Sequence, residues 1–156
     1  MLLALETATN VCSVAFFDGN SIYEKQIEQR GSHSEQLFLF IEELQEEHNF
    51  EIAALDAVLV SEGPGSYTGL RISASAVKGL LFQTEVSLIA INTLASFAMQ
   101  GVNDSATSSQ TIHSIIDARR VHVYHQGFKY QEGKLHSDDE VEVIPIEAFE
   151  DMVRAD

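Results

Sequence analysis

The stretch SEGPGSYTGLR, Ser61 to Arg71, concentrates the chain's best candidates for binding an anion. Gly63, Gly65 and Gly69 lie there with Ser66, Thr68 and Arg71. An apolar run, Ala57–Val60, precedes the stretch, and a helical pattern, Leu70–Phe82, follows it. In a strand, glycine turn and helix, bare backbone N–H groups and the positive helix end can together hold a phosphate. Neither standard fingerprint is met. A Walker loop needs Lys after its last glycine, where this chain has Leu70, and Thr68 occupies the third glycine of a G-x-G-x-x-G pattern. The residues leave two readings open, an anion cradle and a structural turn.

Two acids raise a similar choice. Glu6 and Asp117 each close a predicted strand just before a turn. Such acids organise a metal-bound nucleotide in some two-lobed folds, and elsewhere simply cap the turn that follows. The six histidines offer no H-x-x-x-H pair. His122 and His125, three apart on a strand, point to opposite faces, so no histidine cluster is expected. His33 beside Ser32 reads as a polar residue of a helix cap. No G-x-S-x-G elbow supports a serine hydrolase. Cys12, the one cysteine, supplies neither a disulfide nor a thiolate zinc site, and its apolar surroundings predict a small core residue.

The elements that must position these groups follow from hydrophobic period. Leu2–Leu5, Val11–Phe17 and Ser21–Gln29 read as a β-meander, with Asp18-Gly19 as a hairpin signal. Ser34–His48 reads as a helix, opened by a capping box of Ser32 and Glu35. Leu37, Phe40, Ile41 and Leu44 share its apolar stripe, while Phe38 and Leu39 fall off it among glutamates. A second apolar side predicts a contact with another element or with a partner. Ala57–Val60 is a strand, and Thr68 is the expected N-cap of the helix Leu70–Phe82. A strand Val86–Ile91 and a helix Leu94–Met99 complete a first lobe, residues 1–100. GVNDSATSSQ, residues 101–110, reads as a linker. Strand, acid, turn and strand then recur in Thr111–Asp117 and Val121–Phe128, before a strand Val141–Ile144 and an acidic helical tail. The recurrence predicts a duplicated α/β architecture whose second lobe, residues 111–156, is incomplete and short of helices.

Composition narrows the function. The 156 residues are 45% hydrophobic, enough for a core, and carry 24 acids against 9 bases, a formal charge of −15. That field repels nucleic acid and argues against direct RNA or DNA binding, whereas a basic protein surface would suit it. No stretch reaches the roughly 18 apolar residues of a membrane span. MLLAL lacks the basic flank of a signal peptide, so a cytoplasmic chain is expected.

Taken in order, LALETATNVCSVAFFDG, GSHSEQL, SEGPGSYTGLRISASAVKGL, INTL and IIDARRVHVY resemble the TsaB family, also called YeaZ or glycoprotease-like. The resemblance runs from Met1 to about Phe128. It implies a duplicated actin/Hsp70/sugar-kinase fold and a role in forming threonylcarbamoyladenosine on tRNA. The implied partners are the catalytic paralogue TsaD and the ATPase TsaE, with a homodimer when the chain is alone. It also implies a non-catalytic subunit: the paralogue's two metal-binding histidines correspond to Thr93 and Phe97, and Phe cannot ligate a metal. No tightly bound cofactor and no metal site follow from this. Weak ATP or ADP with magnesium at the partner interface is compatible with it, through a remnant site of Glu6, Thr7, Gly63, Gly65, Ser66, Thr68, Gly69 and Asp117. The implied partner interface comprises Leu37, Phe38, Leu39, Arg71, Ser75 and Lys78. Glu6 stands where many relatives have Asp, and relatives usually run past residue 156. The competing readings are a small-molecule kinase or ATPase built on Glu6 and Asp117, and, with less support, a metallopeptidase.

Overall fold

Leu3, Leu5, Cys12, Val14 and Phe16 are buried while their immediate neighbours are more exposed, the period of two that lays one face of a strand on a core. The computed structural model describes residues 1–28, 33–102, 109–137 and 139–155. It forms these stretches into β1 (Leu2–Glu6) and β2 (Val11–Phe17), an antiparallel hairpin that pairs Leu2 with Phe17 and Glu6 with Ser13. β3 (Ile22–Glu28) extends the meander on β2. At the turn between them, Asp18 accepts the N–H groups of Ser21 and Asn20, and these bonds hold its carboxyl below the usual range.

The chain then crosses through α1 (His33–His48) and a 3-10 turn, Ile52–Ala54, to β4 (Ala57–Gly63), which lies parallel to β1. A parallel neighbour needs such a crossover. α2 (Tyr67–Leu80) and β5 (Ser87–Asn92) follow, giving the strand order β3-β2-β1-β4-β5 with β1 in the middle. Leu37, Ile41 and Leu44 of α1 and Ala76 and Val77 of α2 pack on the face formed by Leu3, Leu5, Val14, Val58 and Val60. Each Val, Leu or Ile side chain among them contributes about 1.5–3 kcal/mol on burial. Phe16 stacks on Phe50 with centroids 4.0 Å apart.

These elements make one compact unit, Met1–Ile91, and the rest of the chain makes a second, Asn92–Asp156. In the second, α3 (Thr93–Gln100) lies on a sheet of β6 (Gln110–Asp117) and β7 (His122–Gln131). β8 (Lys134–His136) and β9 (Glu142–Pro145) both pair antiparallel with β7, and α4 (Ile146–Ala155) follows. Leu94 and Ala98 of α3 bury against Ile116 and Phe128.

The division at Ile91 and Asn92 precedes the 101–110 stretch read as the linker, of which residues 103–108 lie outside the described residues. The physical reason is that α3 shares its core with β6 and β7, so it belongs with the strands that follow it. Among the described residues the second unit accordingly has two helices, more than its sequence pattern predicted, and β8 adds a strand that three residues were too short to announce. α1 begins at His33, and Ser32 of the expected capping box lies outside the described residues. His33 itself is buried, with Nε2 3.1 Å from the Thr9 carbonyl oxygen.

Cys12 is fully buried, its thiol facing the His33 carbonyl at 3.7 Å. Burial, reinforced by the Glu6 carboxylate, pushes the thiol from 9.0 up to about 11. At pH 8 the thiolate fraction should therefore fall about a hundredfold relative to the unfolded chain, since each pH unit is a factor of ten. Alkylation at pH 8 with and without denaturant should show native labelling slower by at least that factor. Equal rates would mean that Cys12 lies outside the core.

Candidate functional site

The glycine stretch leaves the end of β4 through a cis Gly63–Pro64 peptide and enters α2 at Tyr67. Gly63 has φ +113°, a conformation that side chains rarely adopt. Ser66, not the expected Thr68, is the N-cap: its Oγ accepts the Gly69 N–H at 3.2 Å, while Thr68 already lies in the first turn. The helix begins three residues ahead of its apolar pattern, because its first turn faces the chain's own β1–β2 turn and needs small residues there.

That packing is close. A Cβ on Gly69 would overlap the Thr7 carbonyl oxygen. One on Gly65 would overlap the Ala8 carbonyl oxygen and stand 2.8 Å from the Ala8 Cβ. Two hydrogen bonds fasten the contact: Thr7 Oγ1 donates to the Gly69 carbonyl at 2.8 Å, and Ser66 N–H donates to the Ala8 carbonyl at 2.6 Å. Thr7 and Ala8 are buried beneath it. Gly65 and Gly69 thus have a packing reason that involves no ligand.

The two strand-end acids have matching local partners. Glu6 accepts the N–H of Ala8, two residues on, and the hydroxyl of Ser61 at the end of β4. Asp117 accepts the N–H of Arg119, also two residues on, at 2.6 Å. Both act as turn caps. Glu6 belongs to the first unit and Asp117 to the second.

A groove of about 470 Å³ runs between α1 and α2, lined by Ser34, Phe38, Tyr67, Arg71, Ile72 and Ser75 among others. Arg71 donates to the Tyr67 hydroxyl at 3.0 Å and lies 5.1 Å from its ring centroid, so the two side chains brace each other on the groove wall. Phe38 is 45% exposed and Leu39 43%, as their place off the apolar stripe predicts. Arg71, Ser75 and Lys78 are exposed on α2. Leu37 corrects the predicted set: it is fully buried in the chain's own core and has no surface to offer a partner.

Sequence reasoning missed a histidine pair in the second unit. His113 Nδ1 lies 3.0 Å from His125 Nε2, and the rings stack with centroids 5.3 Å apart. The antiparallel register sets His113 opposite Gly127, two residues along β7 from His125, so both rings share one face. The separation of twelve residues across a hairpin gave no local motif; only the β6–β7 register could have revealed the pair. Thr93 is fully buried at the start of α3, its hydroxyl without a partner among the described residues. Asn92 caps α3 by accepting the Ala95 N–H at 3.0 Å and donates to Gln126 at 2.9 Å. Among the described residues, no three His, Cys, Asp or Glu side chains converge as a metal site.

A family model described as TsaD, tRNA N6-adenosine threonylcarbamoyltransferase, matches residues 24–150. The chain belongs to the TsaD family. Its curated relatives include TsaB proteins. It is 32% identical over 124 residues to the tRNA threonylcarbamoyladenosine biosynthesis protein TsaB of Haemophilus influenzae, covering 79% of this chain and 51% of that protein. With the TsaB of Escherichia coli the identity is 26% over 143 residues, covering 92% of this chain and 61% of the relative. The chain thus spans about half to three-fifths of the length of these TsaB relatives. A solved structure of YeaZ from Pseudomonas aeruginosa matches with a TM-score of 0.83 at 29% identity, covering 92% of this chain and 67% of that one. The resemblance to TsaB and YeaZ read from the motifs therefore holds, and the mixed α/β fold is of the TsaD and YeaZ kind. Among the described residues, no helix is long and apolar enough to cross a membrane.

The packing on Thr7 yields a paired test. Gly69→Ala forces a methyl group into a backbone oxygen and should lower stability by about 3 kcal/mol or more. Gly79→Ala, on the exposed side of the same helix with nothing within 4 Å of the new Cβ, should raise it by about 0.5–1 kcal/mol. Urea unfolding of both variants measures this. A mild Gly69→Ala would mean that the α2 terminus is not seated on the β1–β2 turn.

Proposed function

We propose that this chain is a non-catalytic subunit in the formation of threonylcarbamoyladenosine on tRNA, and that the α1–α2 face of its first unit binds a TsaD-like catalytic paralogue. The observation that carries the reading is the exposure of Phe38, which lines the groove walled by Tyr67 and Arg71, and of its neighbour Leu39 on α1. Two large apolar side chains on a helix whose own stripe is already buried, next to an apolar groove, suit a protein surface better than water. The names of the relatives supply the pathway, and Thr93 and Phe97 support the non-catalytic role, because neither replaces a histidine as a metal ligand.

Several finer assignments belong to the same proposal. The two strand–acid–turn–strand hairpins are the matching halves of a duplicated actin-like fold. A TsaE-like ATPase joins the assembly, and the chain alone forms a homodimer through the same helices. The glycine stretch is a remnant of a nucleotide site that allows weak ATP or ADP contact with magnesium at the partner interface. The assembly works in the cytoplasm, and tRNA contacts come from the partner, since the charge of −15 opposes direct binding.

Leu39→Glu tests the surface. A carboxylate at the centre of an apolar contact lacks a hydrogen-bond partner and should weaken binding to the TsaD-like paralogue by at least about tenfold, with little change in melting temperature. Calorimetric titration and a thermal melt on the one variant separate the outcomes. A sharply lowered melt would place Leu39 in the chain's own core, and unchanged binding would remove the face from the interface. ATP turnover by the chain alone near about 1 per second, abolished in Glu6→Ala, would favour an enzyme instead.

A further inference from the structure

The histidine pair lies directly beneath α4. Phe149 sets its ring 5.7 Å from the His125 centroid and 6.4 Å from that of His113. Phe149 and Met152 are half-buried, while Ile146 and Val153 on the same helix are exposed. Phe149 is therefore a principal anchor of α4 on the sheet. His125 is itself buried. The groups facing it are His113 from β6, Glu142 directly across the β7–β9 ladder, Asp139 from the β8–β9 connection, and the uncharged Phe149 from α4. Asp138 lies outside the described residues. Gly127 makes the room: a Cβ there would stand 3.0 Å from Asp139 Oδ2 and 4.0 Å from the His113 ring.

We propose that the His113–His125 contact is an acid-sensitive latch that holds α4 against the sheet of the second unit at neutral pH and releases it on acidification. A contact of 3.0 Å between ring nitrogens needs a hydrogen on one and a lone pair on the other. A pair carrying no extra proton or one extra proton satisfies this. With two, both nitrogens are donors, two like charges meet, and the contact opens beneath Phe149. Burial, followed by the His113 charge, holds His125 below the usual histidine value, while Glu142 and Asp139 oppose the shift. The sign follows. A depressed histidine keeps its full contribution to stability above the unfolded value near 6.5 and loses it as pH falls through the folded value.

Hydrogen exchange of the α4 amides in the full chain, at pH 7.5 and 5.5 and corrected for intrinsic rate, tests the latch. Protection at Phe149–Val153 should fall at pH 5.5 relative to pH 7.5 while protection at the β6–β7 amides is kept. In His113→Gln, and separately in His125→Gln, most of that fall should vanish, and His113→Gln should raise the titration midpoint of His125 by NMR. The two variants are independent, and protection at the β6–β7 amides reports whether each one folds. Equal α4 protection at both pH values in the unaltered chain would overturn the proposal. So would an equal fall in the unaltered chain and in either folded variant.

Discussion

The close approach of the α2 terminus to the β1–β2 turn is the constraint on which the first unit depends. Two backbone segments meet there without intervening side chains, at Gly65 against Ala8 and Gly69 against Thr7. The Thr7 and Ser66 hydrogen bonds fix that meeting in direction as well as distance. Once the helix start is fixed, the angle of α2 over β4 is fixed too, and with it the groove against α1. Glu6 joins the same arrangement through Ala8 and Ser61, so the acid that could have served a nucleotide ties β1, its turn and the end of β4 together.

How much of this was legible depended on the range of the interaction. Most strands and helices of the first unit were readable because an apolar run or period marks them. Phe38 and Leu39 were readable because a helix turns about 100° per residue and places them off the stripe of Leu37, Ile41 and Leu44. Leu37 entered the interface set through the family resemblance, although its period already placed it on the buried stripe with Ile41 and Leu44. The cap moved from Thr68 to Ser66 because its position is set by contact with a turn some sixty residues earlier in sequence, which no local pattern encodes. The glycines looked like a ligand loop for the same reason: a Cβ can be excluded by backbone as readily as by phosphate.

The second unit shows the other limit. Its hairpin copies the local chemistry of the first, an acid accepting the N–H two residues ahead, and that similarity was visible in the sequence. The place of α3 was not, since a helix between two strands can serve either, and only the packing of Leu94 and Ala98 on Ile116 and Phe128 assigns it. The histidine pair arises from strand register, which the sequence of one strand does not fix.

The proposed role rests on one face of the first unit, so footprinting that face tests it most directly. Hydrogen exchange of the chain should be followed alone and with a TsaD-like paralogue in excess. The account predicts added protection in peptides covering 34–43 and 67–78, with the β2–β3 turn at 18–21 unchanged. Protection confined to the second unit, or none at saturating paralogue, would contradict it.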